Sequence, residues 1–501
     1  MRSVVSSSEM KSIDTFSIST VGIPSMVLME RAALAVAGHI MEETSPESLI
    51  LSVCGSGNNG GDGIAIARIL HCRGYNVKIY FVGNRDRATD ETKLQLRIAE
   101  NTGVRFAGRE AVRTSDVIID SIFGIGLSKP VAGEYAGIIQ HINQTAESGG
   151  RKVWAVDIPS GIHGDSGAVK GIAVKAYATV TFGYIKAGLL LYPGADYAGK
   201  VFVEDIGFPE EAVEQVKPLG ITYGPEDLAR LPERPAYSNK GSFGKVLVVA
   251  GTKNMAGACL FSSSAAYRTG AGLVKILTVE ENREILQSRI PEAVLETYNP
   301  SKISGDQVAE SIGWADVVVA GPGLGTNEPS AKLMEYISKE CCVPAVLDAD
   351  GLNLIAKNPQ WLTQFKGPVI ITPHLGEMSR LTGKPVSRIR ENIVDTCMEY
   401  SKEHGVICVL KDARTVVSGT SGNYYINNSG NECMAKGGSG DVLSGIIAGL
   451  AAGGLDLCES ARLGVYIHGL CGDLAKSRLG SRSVLATDLL QMLPEVFRMT
   501  P

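Results

Sequence analysis

Nothing in the 501-residue chain reads as a segment that would carry it into a membrane or out of the cell. Its first twenty residues, MRSVVSSSEMKSIDTFSIST, contain no apolar core of signal-peptide length, and no later stretch approaches the ~20 apolar residues needed to span a bilayer. A cytoplasmic protein without a membrane partner is therefore expected. Cysteine is sparse: 10 residues, scattered through apolar runs, fall far below the density of a secreted disulfide scaffold and read as reduced core residues. No CxxC pair or His/Cys cluster has zinc spacing, which argues against a structural zinc site. Long runs of like charge are also missing. With a formal net charge of −5, nothing marks a nucleic-acid partner, and any phosphate-bearing ligand has to be held locally.

Apolar residues make up 44% of the chain and charged residues 20%, which excludes a disordered or fibrous molecule. The length exceeds what one hydrophobic core usually supports, so two domains are expected. Short β-branched runs alternate with helical patterns in both halves, the mark of parallel sheets with crossover helices. The runs are Leu49–Cys54, Val77–Val82, Val117–Asp120, Val153–Asp157, Ala178–Phe182 and Val201–Ile206, then Val246–Ala250, Val274–Val279, Val317–Ala320, Ala345–Asp348, Val369–Thr372 and Ile407–Lys411. Between the two sets, Pro209, Pro218, Pro225, Pro232 and Pro235 punctuate a stretch that reads as a surface linker over 208–236. The expected domains span 1–212 and 224–501.

Gly55–Gly63 reads GSGNNGGDG and leads into a helix that carries Ile64, Ala65, Ala67, Ile69 and Leu70. Glycines let backbone N–H groups approach a phosphate, and a helix start adds its positive dipole end. The spacing is not that of the dinucleotide fingerprint, and Asn58, Asn59 and Asp62 add polar groups that a plain turn does not require. Two further strand ends are polar: Asp120 followed by SIFGIG, and Asp157 followed by IPSGIHGD. Either aspartate alone would read as a turn cap. Three polar strand ends with matching loops read instead as one crevice, where some oxygens hold a cation and another group moves a proton.

GSGNNGGDG, DSIFGIG and VDIPSGI together resemble the epimerase domain of the NAD(P)H-hydrate family, over residues 1–210. The resemblance implies that Asn58, Asn59, Gly60, Gly61 and Asp62, with Gly124, Ile125, Gly126, Leu127, Ser128, Lys129 and Pro130, contact a hydrated nicotinamide dinucleotide. It further implies that Asn59, Asp120 and Ser160 hold a potassium ion and that Asp157 is the acid/base at the reacting carbon. Lys129 is a candidate for the opposite role. Interconverting R and S hydrates passes through a planar or ring-opened intermediate, which needs a proton shuttle but no redox centre.

In the second half, KGSFGK (Lys240–Lys245), AGPGLG (Ala320–Gly325), DADGLN (Asp348–Asn353), TPHLGEMSRL (Thr372–Leu381) and GGSGDVLSGIIAG (Gly437–Gly449) follow in order. GxGD at a helix start offers free N–H groups as an anion hole, and a carboxylate able to take a proton from a substrate hydroxyl as a phosphoryl group arrives. As a mere helix-end charge, Asp441 would be worth only ~0.3–1 kcal/mol. No Walker-type GxxxxGK[ST] suggests another nucleotide fold.

GxGD in this position is similar to the ribokinase-like superfamily, and AGPGLG with GGSGDVLSG narrows the resemblance to the NAD(P)H-hydrate dehydratase family over residues 237–501. Asn239 departs from that pattern, which leads one to expect a histidine ahead of the KG pair. The resemblance implies that Ala258, Gly323, His374 and Asp441 contact the hydrated cofactor. It assigns ADP or ATP to Lys411, Asp412, Ala413, Arg414 and Thr415, and to Asn431, Glu432, Cys433, Met434, Ala435, Lys436, Gly437, Gly438, Ser439 and Gly440. Mg²⁺ is expected to enter with the phosphates. Phosphorylating the hydroxyl turns hydroxide, a poor leaving group, into phosphate, which is why kinase-like parts serve a dehydration.

The implied fold is α/β twice over: a Rossmann-like three-layer α/β/α domain followed by a ribokinase-like α/β domain. The implied function is nicotinamide nucleotide repair, with Asp157 and Asp441 as the catalytic residues, a small dinucleotide as substrate, and a homo-oligomeric assembly. The alternative is a vitamin or sugar kinase with an N-terminal ligand-binding module.

Overall fold

The computed structural model describes Met1–Thr500, which divide into two compact units with the boundary between Gly220 and Ile221. In the first unit, seven strands form one sheet in the order Arg105–Phe106, Val77–Phe81, Ile50–Cys54, Val117–Ser121, Lys152–Val156, Ala178–Phe182 and Lys200–Glu204. Every neighbouring pair is parallel. Ile50–Cys54, Val117–Ser121 and Ala178–Phe182 are buried throughout, because helices cover both faces of the sheet. Helices Ser25–Glu43, Asn58–Cys72 and Asp90–Asn101 pack their apolar faces into one core, and Gly133–Gly149 packs Ile138, Ile139 and Ile142 into another. The result is the three-layer arrangement anticipated for this half. The chain order reverses between Ile50–Cys54 and Val117–Ser121, so a crevice opens outside their carboxyl ends.

The second unit carries seven parallel strands in the order Val294–Tyr298, Leu273–Val279, Lys245–Val249, Val317–Ala320, Ala345–Leu347, Val369–Ile371 and Ile407–Leu410. Val416–Ser418 and Tyr424–Ile426 extend this sheet in the antiparallel sense. Helices Ala256–Thr269 and Ser439–Ala452 pack closely, and Gly445 makes that possible: a Cβ there would lie 2.2 Å from the Ser262 carbonyl oxygen. Helix Ser439–Ala452 is apolar over most of its surface because it is buried over most of its length.

Each strand expected from the sequence is present within a residue or two of its expected ends. Two expectations change. The first glycine loop is shorter than read, since its helix begins at Asn58, inside the motif. The stretch 208–236 is not a bare linker either. It holds a helix at Glu210–Val216, a strand at Gly220–Thr222 and a 3₁₀ turn at Pro225–Arg230, with Ala212, Tyr223 and Leu228 buried. Two of its five prolines start these elements: Pro209 stands at the N-cap of the helix and Pro225 opens the turn. Among the cysteines, seven are buried, but Cys72 and Cys342 are exposed. Among the described residues, no helix is long and apolar enough to cross a membrane.

Candidate active sites

A cavity of about 860 Å³ opens at the reversal point of the first sheet. Asn58, Asn59 and Asp62 reach it from the start of their helix, Gly124–Lys129 from the loop after Val117–Ser121, and Asp157 from the end of Lys152–Val156. Its apolar wall includes Leu28, Met29, Phe123, Phe182 and Phe208, a surface suited to a flat ring. Not every residue implied by the resemblance faces it. Gly60 and Gly61 are turned into the protein, where a Cβ would meet the Gly55 carbonyl oxygen at 1.9 Å or the Met29 methyl at 2.8 Å. Pro130 is exposed and lies outside the lining.

Behind the cavity, Asp120 is fully buried. Its carboxylate accepts the Ser160 backbone N–H at 2.8 Å and the Ser160 hydroxyl at 2.6 Å, and burial pushes its pKa up to about 6 against those hydrogen bonds. Asn59 donates from Nδ2 to the Phe123 carbonyl at 3.0 Å, while its Oδ1 is buried without a hydrogen-bond partner. Asn59 and Ser160 are thus joined through Phe123, whose N–H donates to the Ser160 hydroxyl at 2.9 Å. The group consists of oxygens and includes one orphaned acceptor.

Asp157 stands at the turn out of its strand with φ 67, the left-handed region. Its Oδ1 accepts from the Lys186 ammonium at 2.6 Å and from the Thr181 hydroxyl at 3.1 Å. Lys186 is 1% exposed and also donates to Thr181 Oγ1 at 2.9 Å and to the Phe182 carbonyl at 3.0 Å. This buried ion pair was not legible in the sequence, where Lys129 stood as the basic candidate. Lys129 lies exposed at the cavity mouth, whereas Lys186 meets Asp157 directly. The one sequence feature at Lys186 is that it stands as a single lysine inside the apolar run Tyr184–Leu191, which names no partner.

The second site forms around the start of helix Ser439–Ala452. Asp441, in its first turn, is half-buried; burial and the Asp348 carboxylate push its pKa up to about 7 against the pull of Lys411. Asp348 is 1% exposed, and its two oxygens take the Lys411 ammonium at 2.8 Å and the Ser444 hydroxyl at 2.7 Å. Burial acts to raise the pKa of Asp348, but the Lys411 charge and the hydrogen bonds from Lys411, Ser444 and Thr372 outweigh it and leave it low. Lys411 is in turn held above its usual range: burial lowers it, and Asp348, Glu377 and Asp441 more than compensate. Gly440 lies beside this pair, since a Cβ there would stand 3.4 Å from Lys411 Nζ.

His374 caps helix Leu375–Thr382, accepting the Gly376 N–H at 2.9 Å on Nδ1, and partial burial with the Lys411 and Arg380 charges lowers its pKa below the usual histidine value. Ala258 and Gly323 touch, a Cβ on Gly323 falling 2.9 Å from that of Ala258. The run assigned to nucleotide divides. Gly438–Gly440 and Ser439 form the helix start, whereas Cys433 and Met434 turn into the core. Asn431 is tied to Asp473 at 2.7 Å, and Glu432 pairs with Lys476. Of 411–415, Lys411 directs its ammonium at Asp348. Asp348 itself, the residue about which the site is organised, appeared in the sequence only as part of DADGLN.

Two family models cover the chain: one described as YjeF-related protein N-terminus matches residues 25–188, and one described as NAD(P)H-hydrate dehydratase matches 246–495. A relative from Thermofilum pendens is 36% identical over 98% of this chain and 95% of its own length. Another from Moorella thermoacetica is 36% identical over 99% and 96%. Both are named bifunctional NAD(P)H-hydrate repair enzyme. Among solved structures, a ribokinase-like superfamily protein from Enterococcus faecalis is 28% identical, covering 56% of this chain and 95% of its own, with a TM-score of 0.50.

Proposed function

The chain belongs to the bifunctional NAD(P)H-hydrate repair enzyme family, and from that premise we propose that its two titratable centres divide the repair between them. The first unit interconverts R and S hydrates; the second dehydrates the S form at the expense of ADP or ATP. The carrying observation is that Asp157 and Asp441 lie in separate units, each beside a buried lysine–aspartate ion pair or part of one.

In the first unit, the apolar wall and the loop Gly124–Lys129 hold the nicotinamide ring, and Asp157 acts on its hydroxyl-bearing carbon. The oxygen set of Asn59, Asp120 and Ser160 suits K⁺, and the orphaned Asn59 Oδ1 is the acceptor that such an ion would satisfy. K⁺ there would supply positive charge that keeps Asp120 ionised and ties the two loops together.

In the second unit, the Gly440 and Asp441 N–H groups at the start of helix Ser439–Ala452 receive the transferring phosphoryl group, and Asp441 takes the proton of the substrate hydroxyl. Lys411, fixed by Asp348, places a positive charge beside the developing negative charge. Mg²⁺ accompanies the nucleotide, held chiefly by its phosphate oxygens. The test is recovery of NAD(P)H absorbance from a mixture of R and S hydrates. Full recovery with ADP or ATP, and none without, is expected; accumulation of a stable phosphorylated product would favour a small-molecule kinase.

A further inference from the structure

The same cavity that receives Asp157 receives a second carboxyl group, Asp62, with very different surroundings. Asp157 is tied through Oδ1 to Lys186 at 2.6 Å and to Thr181 at 3.1 Å, so it is held in place and matched by a positive charge. Asp62, in the first two turns of helix Asn58–Cys72, has no hydrogen bond or ion pair among the described residues, although its backbone is locked between Gly61 and Gly63 in a packed turn. A carboxyl group facing a cavity with no protein partner is free to meet a ligand.

We infer that Asp62 is a second catalytic residue of the epimerase reaction, the general acid that gives a proton to the ring nitrogen while Asp157 takes one from the hydroxyl. The inference rests on the epimerase reading of this cavity. Water adds to an enamine with its oxygen on the carbon beside nitrogen, so the hydrate is a hemiaminal. Asp157 removes the hydroxyl proton, the C–O bond becomes a carbonyl, and the carbon–nitrogen bond breaks. The electron pair goes to the ring nitrogen, which takes the Asp62 proton. Rotation of the open chain presents the other carbonyl face. The nitrogen then attacks that face and returns its proton to Asp62, while the oxygen recovers the proton held by Asp157. No electrons enter or leave, and both carboxyl groups end as they began.

The electrostatics agree with that division. Burial, followed by the charges of Asp157 and Asp14, holds Asp62 well above the usual carboxylate range, whereas Asp157 is matched by the Lys186 charge. The other charged groups lining the cavity are Glu91, Lys11 and Lys129. One carboxyl group without a protein partner and another paired with a lysine are suited to opposite roles.

The experiment compares Asp62→Asn, Asp157→Asn and the parent full-length chain, following conversion of pure R hydrate to S without nucleotide. Asp62→Asn keeps the shape of the side chain but has no acidic proton to give, and Asp62→Glu, which keeps the acid, supplies a second variant. Loss of about 10²–10⁴-fold in rate for Asp62→Asn, with partial recovery in Asp62→Glu, is expected. The parent rate should also fall as the pH rises through the Asp62 titration. Near-normal conversion by Asp62→Asn alongside a slow Asp157→Asn overturns the role of Asp62 and leaves the epimerase reading intact. Normal conversion by both variants overturns the reading of the cavity and the inference with it.

Discussion

Holding Asp157 at φ 67 costs a non-glycine residue on the order of 1–3 kcal/mol, a strain that the Lys186 and Thr181 contacts fix in place. Removing the ammonium tests that arrangement at the level of one side chain. Lys186→Met should slow R-to-S conversion while leaving dehydration of pure S hydrate unchanged, which separate assays of the two steps would measure. Asp441 allows a pH prediction. As a base it must be ionised, and burial and Asp348 place its pKa at about 7, so kcat/KM for S hydrate should fall about tenfold per unit as the pH drops below that value. The stability sign is opposite: a carboxyl group raised in the folded state stabilises it least once the pH exceeds its folded pKa. Asp441→Asn should therefore be inactive but at least as resistant to urea at pH 8 as the parent. Asp157 and Asp441 were legible because the first opens and the second closes a glycine-containing motif at a strand or helix end. Lys186 and Asp348 were not, because a lysine in an apolar run and one aspartate among several say nothing about which partner the fold brings to them.

At the scale of elements, the second site depends on how closely helix Ser439–Ala452 approaches helix Ala256–Thr269. The hydroxyl of Ser262 donates to the Asp441 carbonyl at 3.0 Å, so that packing also sets where the carboxyl stands. Gly445→Ala drives a methyl against the Ser262 carbonyl and should cost about 1–3 kcal/mol, with S-hydrate turnover falling as the helix shifts. Thermal unfolding and turnover of the variant check both effects. The strands were readable because parallel strands buried on both faces are continuous apolar runs, whatever their order in the sheet. Short edge and antiparallel strands such as Arg105–Phe106 and Val416–Ser418 were not, since two or three residues carry no period.

For the molecule as a whole, we propose two units that fold and act separately, best divided between Gly220 and Ile221. A fragment beginning at 224 removes Tyr223, which is fully buried against Tyr425 at 4.7 Å and donates its hydroxyl to Glu459 at 2.8 Å. Fragment 221–501 should exceed fragment 224–501 in stability by about 3–5 kcal/mol, the usual loss of a large buried ring, as denaturant titration would show. Proline and polar residues around 208–236 concealed this, because an aromatic ring between turn signals does not announce its burial.

If Asp157 serves one chemistry and Asp441 another, the substrate has to move between independent sites. Mixing the full-length Asp157→Asn and Asp441→Asn variants with R and S hydrates and ATP tests it directly. Asp157→Asn alone should recover the S share quickly and the rest only at the spontaneous rate of epimerisation, Asp441→Asn alone should recover none, and the mixture should recover everything. Rapid full recovery by either variant alone, or a mixture that stalls at the S share, would contradict it.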